Sequence, residues 1–144
     1  MFKKFLVAVA AMLTALAFCL PAAAEVKTFD RISIDVPDGW HINYEDGGLF
    51  LATVSPSPAM VVVIIHPLDG YSFDKAALEL SEGFDVNAVP QKDADGNYSF
   101  SYKEPNSKLD LKIVITQENG KLKFIGFGGN HPDLEKIINS VKEK

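Results

Sequence analysis

The chain has 144 residues and a single cysteine, and 14 basic against 19 acidic side chains leave it a formal net charge of −5. That balance, with no basic block anywhere, excludes the phosphate-neutralising surface that nucleic-acid binding needs and argues against docking on anionic lipid. The length suits one ordinary domain and is short for two.

The first 24 residues read as an export leader. Lys3 and Lys4 form a positive start, Phe5 to Leu20 is almost wholly apolar, and Pro21-Ala22-Ala23-Ala24 supplies the small residues a signal peptidase cuts after. The apolar run is shorter than the roughly 20 residues of a membrane-spanning helix, so no stable membrane anchor is expected once the leader is gone. Leu16-Ala17-Phe18-Cys19 departs from a lipidation signal, because Phe18 is large where a small residue is needed. A cut after Ala24 leaves residues 25–144 as one periplasmic domain. That domain has no cysteine, hence no disulfide and no thiolate ligand, and losing Lys3 and Lys4 takes its charge to −7.

Strands come first in the remaining chain. Ile32, Ile34 and Val36 alternate with Ser33 and Asp35 until Pro37-Asp38-Gly39 ends the run. Trp40, Ile42 and Tyr44 alternate next, and Asp46-Gly47 is a two-residue hairpin signal that sets Tyr44 opposite Leu49, Ile42 opposite Leu51 and Trp40 opposite Thr53. Ser55-Pro56-Ser57-Pro58 is a loop. Ala59 to Ile65 is apolar at every position and rich in β-branched residues, the pattern of a central strand covered on both faces. Trp40 is expected to be a core anchor whose indole N–H needs a partner at the buried edge.

A helix follows, with Ser72 as N-cap, Asp74 in the first turn, and Phe73, Ala76, Ala77, Leu80 and Phe84 as the buried stripe; Gly83 marks its exit. Val86 and Val89 allow either a loop or a short strand before Pro90. Tyr98 to Tyr102 alternates as a strand, and Leu109, Leu111, Ile113 and Ile115 as a longer one. Asn119-Gly120 is a second hairpin signal, pairing Glu118 with Lys121 and Ile115 with Phe124. Val114, Ile125 and Phe127 make the opposite face of that hairpin apolar as well, so both sides need cover. The last helix is expected to be capped by Asn130 or His131, with Pro132 in its first position and Leu134, Ile137, Ile138 and Val141 buried. The sum is an α+β fold, a mostly antiparallel sheet between helices, in a three-layer α/β/α sandwich.

The strand running into Val36-Pro37-Asp38-Gly39-Trp40, the Asp46-Gly47-Gly48 hairpin, the buried strand to Ile65 and the two helices resemble, in that order, the PsbP-like and DcrB-like exported domains. The resemblance implies the same sandwich. It also implies an accessory role without catalysis, since no catalytic motif of that family carries over to these residues.

Asp93, Asp95, Asn97 and Glu104 stand at positions 1, 3, 5 and 12 of a calcium loop, but Tyr98 occupies the position that needs glycine, and Pro90 and Pro105 interrupt the flanks. Asp95-Gly96 turning the chain into a strand is the preferred reading. Phe127-Gly128-Gly129-Asn130 lacks the spacing of a phosphate loop and reads as a strand leaving the sheet. His41, His66 and His131 lie on separate elements without metal or triad spacing. The sequence therefore offers no catalytic, cofactor-binding or metal-binding set. The expected function is non-enzymatic: an accessory domain that binds an envelope protein. The alternative is a carrier of a small apolar ligand or lipid, held between sheet and helix and lined by Tyr98, Phe100 and Tyr102.

Overall fold

The computed structural model describes residues 21–22, 25–29, 32–45, 47–53 and 57–143. The leader apart from Pro21 and Ala22, the expected cut after Ala24, Cys19, Asp46 and the start of the Ser55-Pro56 loop lie outside the described residues. The strands are β1 (Pro21–Ala22), β2 (Glu25–Phe29), β3 (Ile32–Val36), β4 (Trp40–Glu45), β5 (Gly48–Thr53), β6 (Ala59–Pro67), β7 (Gln91–Lys92), β8 (Tyr98–Lys103), β9 (Asp110–Glu118), β10 (Lys121–Gly129) and β11 (Lys142–Glu143). Among the described residues two helices, α1 (Phe73–Phe84) and α2 (Leu134–Ser140), interrupt them. The fold is mixed α+β, and every described strand pairing is antiparallel.

Eight strands form the main sheet in the order β1-β4-β5-β6-β10-β9-β8-β7, and β11-β3-β2 form a smaller one. Local turn chemistry accounts for the hairpin registers. Tyr44 faces Leu49 and Ile42 faces Leu51, as expected, and Gly47 takes a positive φ of 82° between the two strands. Asn119 and Gly120 both take positive φ, 51° and 73°, which matches the right-handed twist of the flanking strands. Glu118 then pairs with Lys121 and Ile115 with Phe124.

Period-2 alternation divides the core in two. On one face of the main sheet Phe50, Val62, Ile64, Ile113, Ile115, Leu122 and Phe124 pack with Ala76, Ala77 and Leu80 of α1. On the other, Trp40, Leu49, Leu51, Val61 and Val63 pack with Ile32, Ile34 and Val36 of β3 and with Ile137 of α2. The run from Ala59 to Ile65 is buried throughout because alternate side chains enter different cores. Each large apolar side chain so buried contributes about 2 kcal/mol.

α1 begins as its sequence predicts, with the Ser72 hydroxyl accepting the Lys75 N–H at 3.3 Å. It runs past Gly83 to Phe84, whose ring stacks on Phe124 at 5.0 Å and meets Tyr102 edge-on at 5.5 Å. That aromatic clasp rewards one more helical residue than the glycine alone favours. α2 starts later than expected. Pro132 sits in a turn closed by Leu134 N–H on the His131 carbonyl (3.2 Å), and the helix covers only Leu134–Ser140. Val141 is buried beyond its end, leading into β11 against β3. Residues 86–90 form no strand. Val86 and Val89 are 83% and 75% exposed, and pairing resumes only after Pro90, at β7.

Candidate functional site

The segment from Asp93 to Glu104 is a turn and a strand. The Asp93 carboxylate accepts the N–H groups of Asp95 and Asn97, both at 2.9 Å, while Asp93 N–H donates to the Asn97 carbonyl at 2.8 Å. This is how an aspartate holds a tight turn. Glu104, at the far end of β8, is 2% exposed and accepts from Asn106 N–H (3.1 Å) and Ser107 N–H (2.6 Å). Burial pushes its pKa up, but the hydrogen bonds from Ser107 and Asn106 outweigh burial and hold it below the usual value. Two of the four positions in the calcium pattern thus serve turns at opposite ends of a strand.

The aromatic row of β8 faces α1. Tyr98 and Phe100 are buried in the first core, and Tyr102 packs beside them. The Tyr98 hydroxyl donates to Asp74 Oδ1 at 2.7 Å, and Lys92 Nζ reaches the same oxygen at 3.1 Å, tying β7 and β8 to the first turn of α1. The hydrogen bond from Tyr98, then that from Lys92, lowers the Asp74 pKa. Spacing did not reveal this trio, because its members stand 18 and 24 residues apart.

The histidines stay separate. His66 Nδ1 lies 2.8 Å from the Pro67 carbonyl. His131 Nδ1 accepts the Asp133 N–H at 3.0 Å and its ring meets Trp40 edge-on at 5.1 Å. The same nitrogen lies 3.6 Å from Asp133 Oδ2. Trp40 is fully buried, and its indole N–H finds Asp133 Oδ2 at 3.4 Å, the partner its burial demands. Among the described residues no three of His, Cys, Asp and Glu gather as a metal site. Gly128 and Gly129 belong to β10, and a Cβ on Gly128 would strike the Asp110 carbonyl oxygen, so close backbone approach accounts for that glycine.

The surface with the shape of a binding site lies on the other face of β8, β9 and β10. Leu111 and Ile113 point toward α1, so Asp110, Lys112 and Val114 point away from it. Cross-strand pairing lines up Phe127, Lys112 and Ser101 in one row and Ile125, Val114 and Ser99 in the next. Ile125 and Phe127 join the second core, but no residue of β8 or β9 does. Among the described residues cover therefore stops at β10, and there the expectation that both faces of the β9–β10 hairpin are closed holds for one strand of it. The uncovered floor has two walls. On one side α2 encloses a crevice of about 480 Å³ with Phe127, Gly128, Leu134 and Ile138. On the other, residues 85–91 enclose a cleft of about 530 Å³ with Ser99, Phe100 and Ser101. Lys112 lines both, and the two are taken together as a trough whose cleft end wraps the edge of β8 to reach Phe100. The polar alternates Asp110 and Lys112 were the sequence signal for this open floor.

Compared with family models and with curated proteins, the sequence matches none.

Proposed function

We propose that this protein is a non-enzymatic accessory domain of the cell envelope that binds another protein through the trough centred on Lys112. The observation that carries the proposal is the trough itself. A sheet face with apolar Phe127, Leu134 and Ile138 at one wall and a solvent-facing lysine on its floor offers a partner apolar surface to bury and a charge to match. Export through the leader at residues 1–24 would place it in the periplasm, and the resemblance to PsbP-like and DcrB-like domains supports both the accessory role and the layering. We read α1, the main sheet, and the β2-β3-β11 layer with α2 as the three layers of such a sandwich, the small sheet taking part of the second helical layer.

A photo-crosslinking side chain placed at Lys112 in living cells tests the proposal. A discrete adduct with one envelope protein, lost when the crosslinker is moved to exposed Leu78 on α1, is the expected result; adducts equal at both positions would sink it. Turnover in an esterase or phosphatase screen that a single Ser or His substitution abolishes would overturn the non-enzymatic part. The alternative of a small apolar ligand draws on the same Phe127, Leu134 and Ile138 wall. Native mass spectrometry separates the two readings, since a carrier retains its ligand through purification.

A further inference from the structure

The open edge of β8 says what kind of segment the trough takes; this inference rests on the binding reading above. Residues along an antiparallel strand alternate between those whose backbone groups point to one neighbour and those that point to the other. Glu104 N–H donates to the Leu109 carbonyl at 2.9 Å, so Tyr102, Phe100 and Tyr98, in phase with Glu104, aim their backbone groups at β9. Asp93 N–H on the Asn97 carbonyl places Asn97, and with it Ser99, Ser101 and Lys103, in the outward phase. β7 satisfies this edge only at its start, where Gln91 pairs with Ser99. The register would set Val89 opposite Ser101, but β7 begins only at Gln91, Val89 is 75% exposed, and the chain turns away through Val86 and Asn87. The outward backbone groups of Ser101 and Lys103 have no hydrogen-bond partner among the described residues. Ser101 lines the 530 Å³ cleft, whose far wall includes Asp85, Ala88 and Val89.

We propose that this vacated lane accepts an extended segment of the partner protein as an added strand, with an acidic residue opposite Ser101 and apolar residues on either side of it. A side chain opposite Ser101 shares the face of Lys112, because Ser101 and Lys112 are themselves cross-strand partners. Lys112 is exposed and has no ion-pair partner among the described residues, whereas Lys103 already holds Asp110 at 3.1 Å. A carboxylate at that point meets the unmatched charge. Neighbours in the alternate phase fall on the side of Phe100 and Tyr102, against Phe84 and Ala88, where apolar side chains bury surface. Main-chain bonds supply affinity and the alternating side chains supply selectivity, as in strand addition generally. A second copy of this chain fits less well, because β8 against β8 leaves both Lys112 charges unmatched.

Amide hydrogen exchange followed by NMR on the purified protein tests this, with synthetic peptides of alternating Val and Glu, or Val and Lys, as probes. Ser101 and Lys103 amides exchange freely in the free protein. The Val/Glu peptide slows both by roughly tenfold or more, while the Val/Lys peptide and a Val/Glu peptide N-methylated at its pairing amides do not. Lys112→Glu, at an exposed position that leaves the fold intact, reverses the preference between the two peptides. Protection of Ser101 and Lys103 in the peptide-free monomer would overturn the proposal, and so would protection that rises with protein concentration together with a dimeric mass. Peptide effects confined to the Leu134 and Ile138 amides would overturn strand addition while leaving the trough as the binding surface. No effect of any peptide at either wall would also overturn it, whatever the crosslinking at Lys112 returns.

Discussion

The indole N–H of Trp40 donates to Asp133 Oδ2 across 3.4 Å, joining the first strand after the Pro37-Asp38-Gly39 turn to the turn that opens α2, 93 residues later. Removing the acceptor leaves a buried N–H unsatisfied, which costs about 1 kcal/mol. Asp133→Ala should lower urea stability by about that amount, while Asp133→Asn, which keeps a side-chain oxygen, should cost less than half as much. The same bond predicts that Asp133→Ala shifts Trp40 fluorescence without changing far-UV dichroism.

Asp93 is a turn residue, so its removal should act on stability and not on calcium. Asp93→Ala forfeits two N–H acceptances and is expected to cost about 1 kcal/mol, equally with and without calcium. Titration calorimetry with calcium should show no heat of binding in the unaltered protein. Binding that Asp93→Ala abolishes would return the segment to the metal reading.

Glu104 predicts an acid-sensitive contribution. Its folded pKa is held below the unfolded value near 4.5 by the Ser107 and Asn106 bonds, against the opposing effect of burial. The unfolded chain therefore binds a proton more readily. The stability this group contributes is present in full above the unfolded pKa and is lost as pH falls through the lower folded pKa. Glu104→Gln turns one acceptor into a donor facing a backbone N–H, which should cost about 2 kcal/mol at neutral pH. The gap between the two proteins should narrow as pH drops below 4.5, measured by urea melts across that range.

For Asp74 the expected readout is a titration. The hydrogen bond from the Tyr98 hydroxyl is the leading cause of its lowered pKa, with Lys92 second. Tyr98→Phe should move the Asp74 carboxyl upward toward the ordinary aspartate range in a carbon-detected NMR titration, and Lys92→Met should move it in the same direction by less.

Two glycines of β10 should differ in tolerance. At Gly128 a methyl group meets the Asp110 carbonyl, which is backbone, whereas at Gly126 the nearest atom is the Cδ1 of Ile113 at 2.6 Å, the end of a flexible side chain. Gly128→Ala should therefore cost about 3 kcal/mol and Gly126→Ala about 1 kcal/mol. Comparable losses at both would mean that β9 and β10 approach each other differently.

Much of this was legible from residues alone because it is decided locally. Asp46-Gly47 and Asn119-Gly120 set hairpin registers through their own φ preferences, and period-2 alternation then assigned every side chain of β4, β5, β9 and β10 to a face. The Ser72 cap and the stripe from Phe73 to Phe84 placed α1 for the same reason. The rest depends on contacts between distant segments. Nothing near Trp40 specifies Asp133 as its acceptor, nothing near Ser33 specifies Lys142 as its strand partner, and β2 and β11 are too short and too polar to declare themselves. The sequence by itself determined which residues share a face. Only the tertiary structure decided which faces are covered and which edges are paired, because among the described residues cover ends where the second layer ends, at β10, and pairing along the outer edge of β8 ends where β7 does, at Gln91. Lys112 and the outer edge of β8 became a candidate site through those two endings.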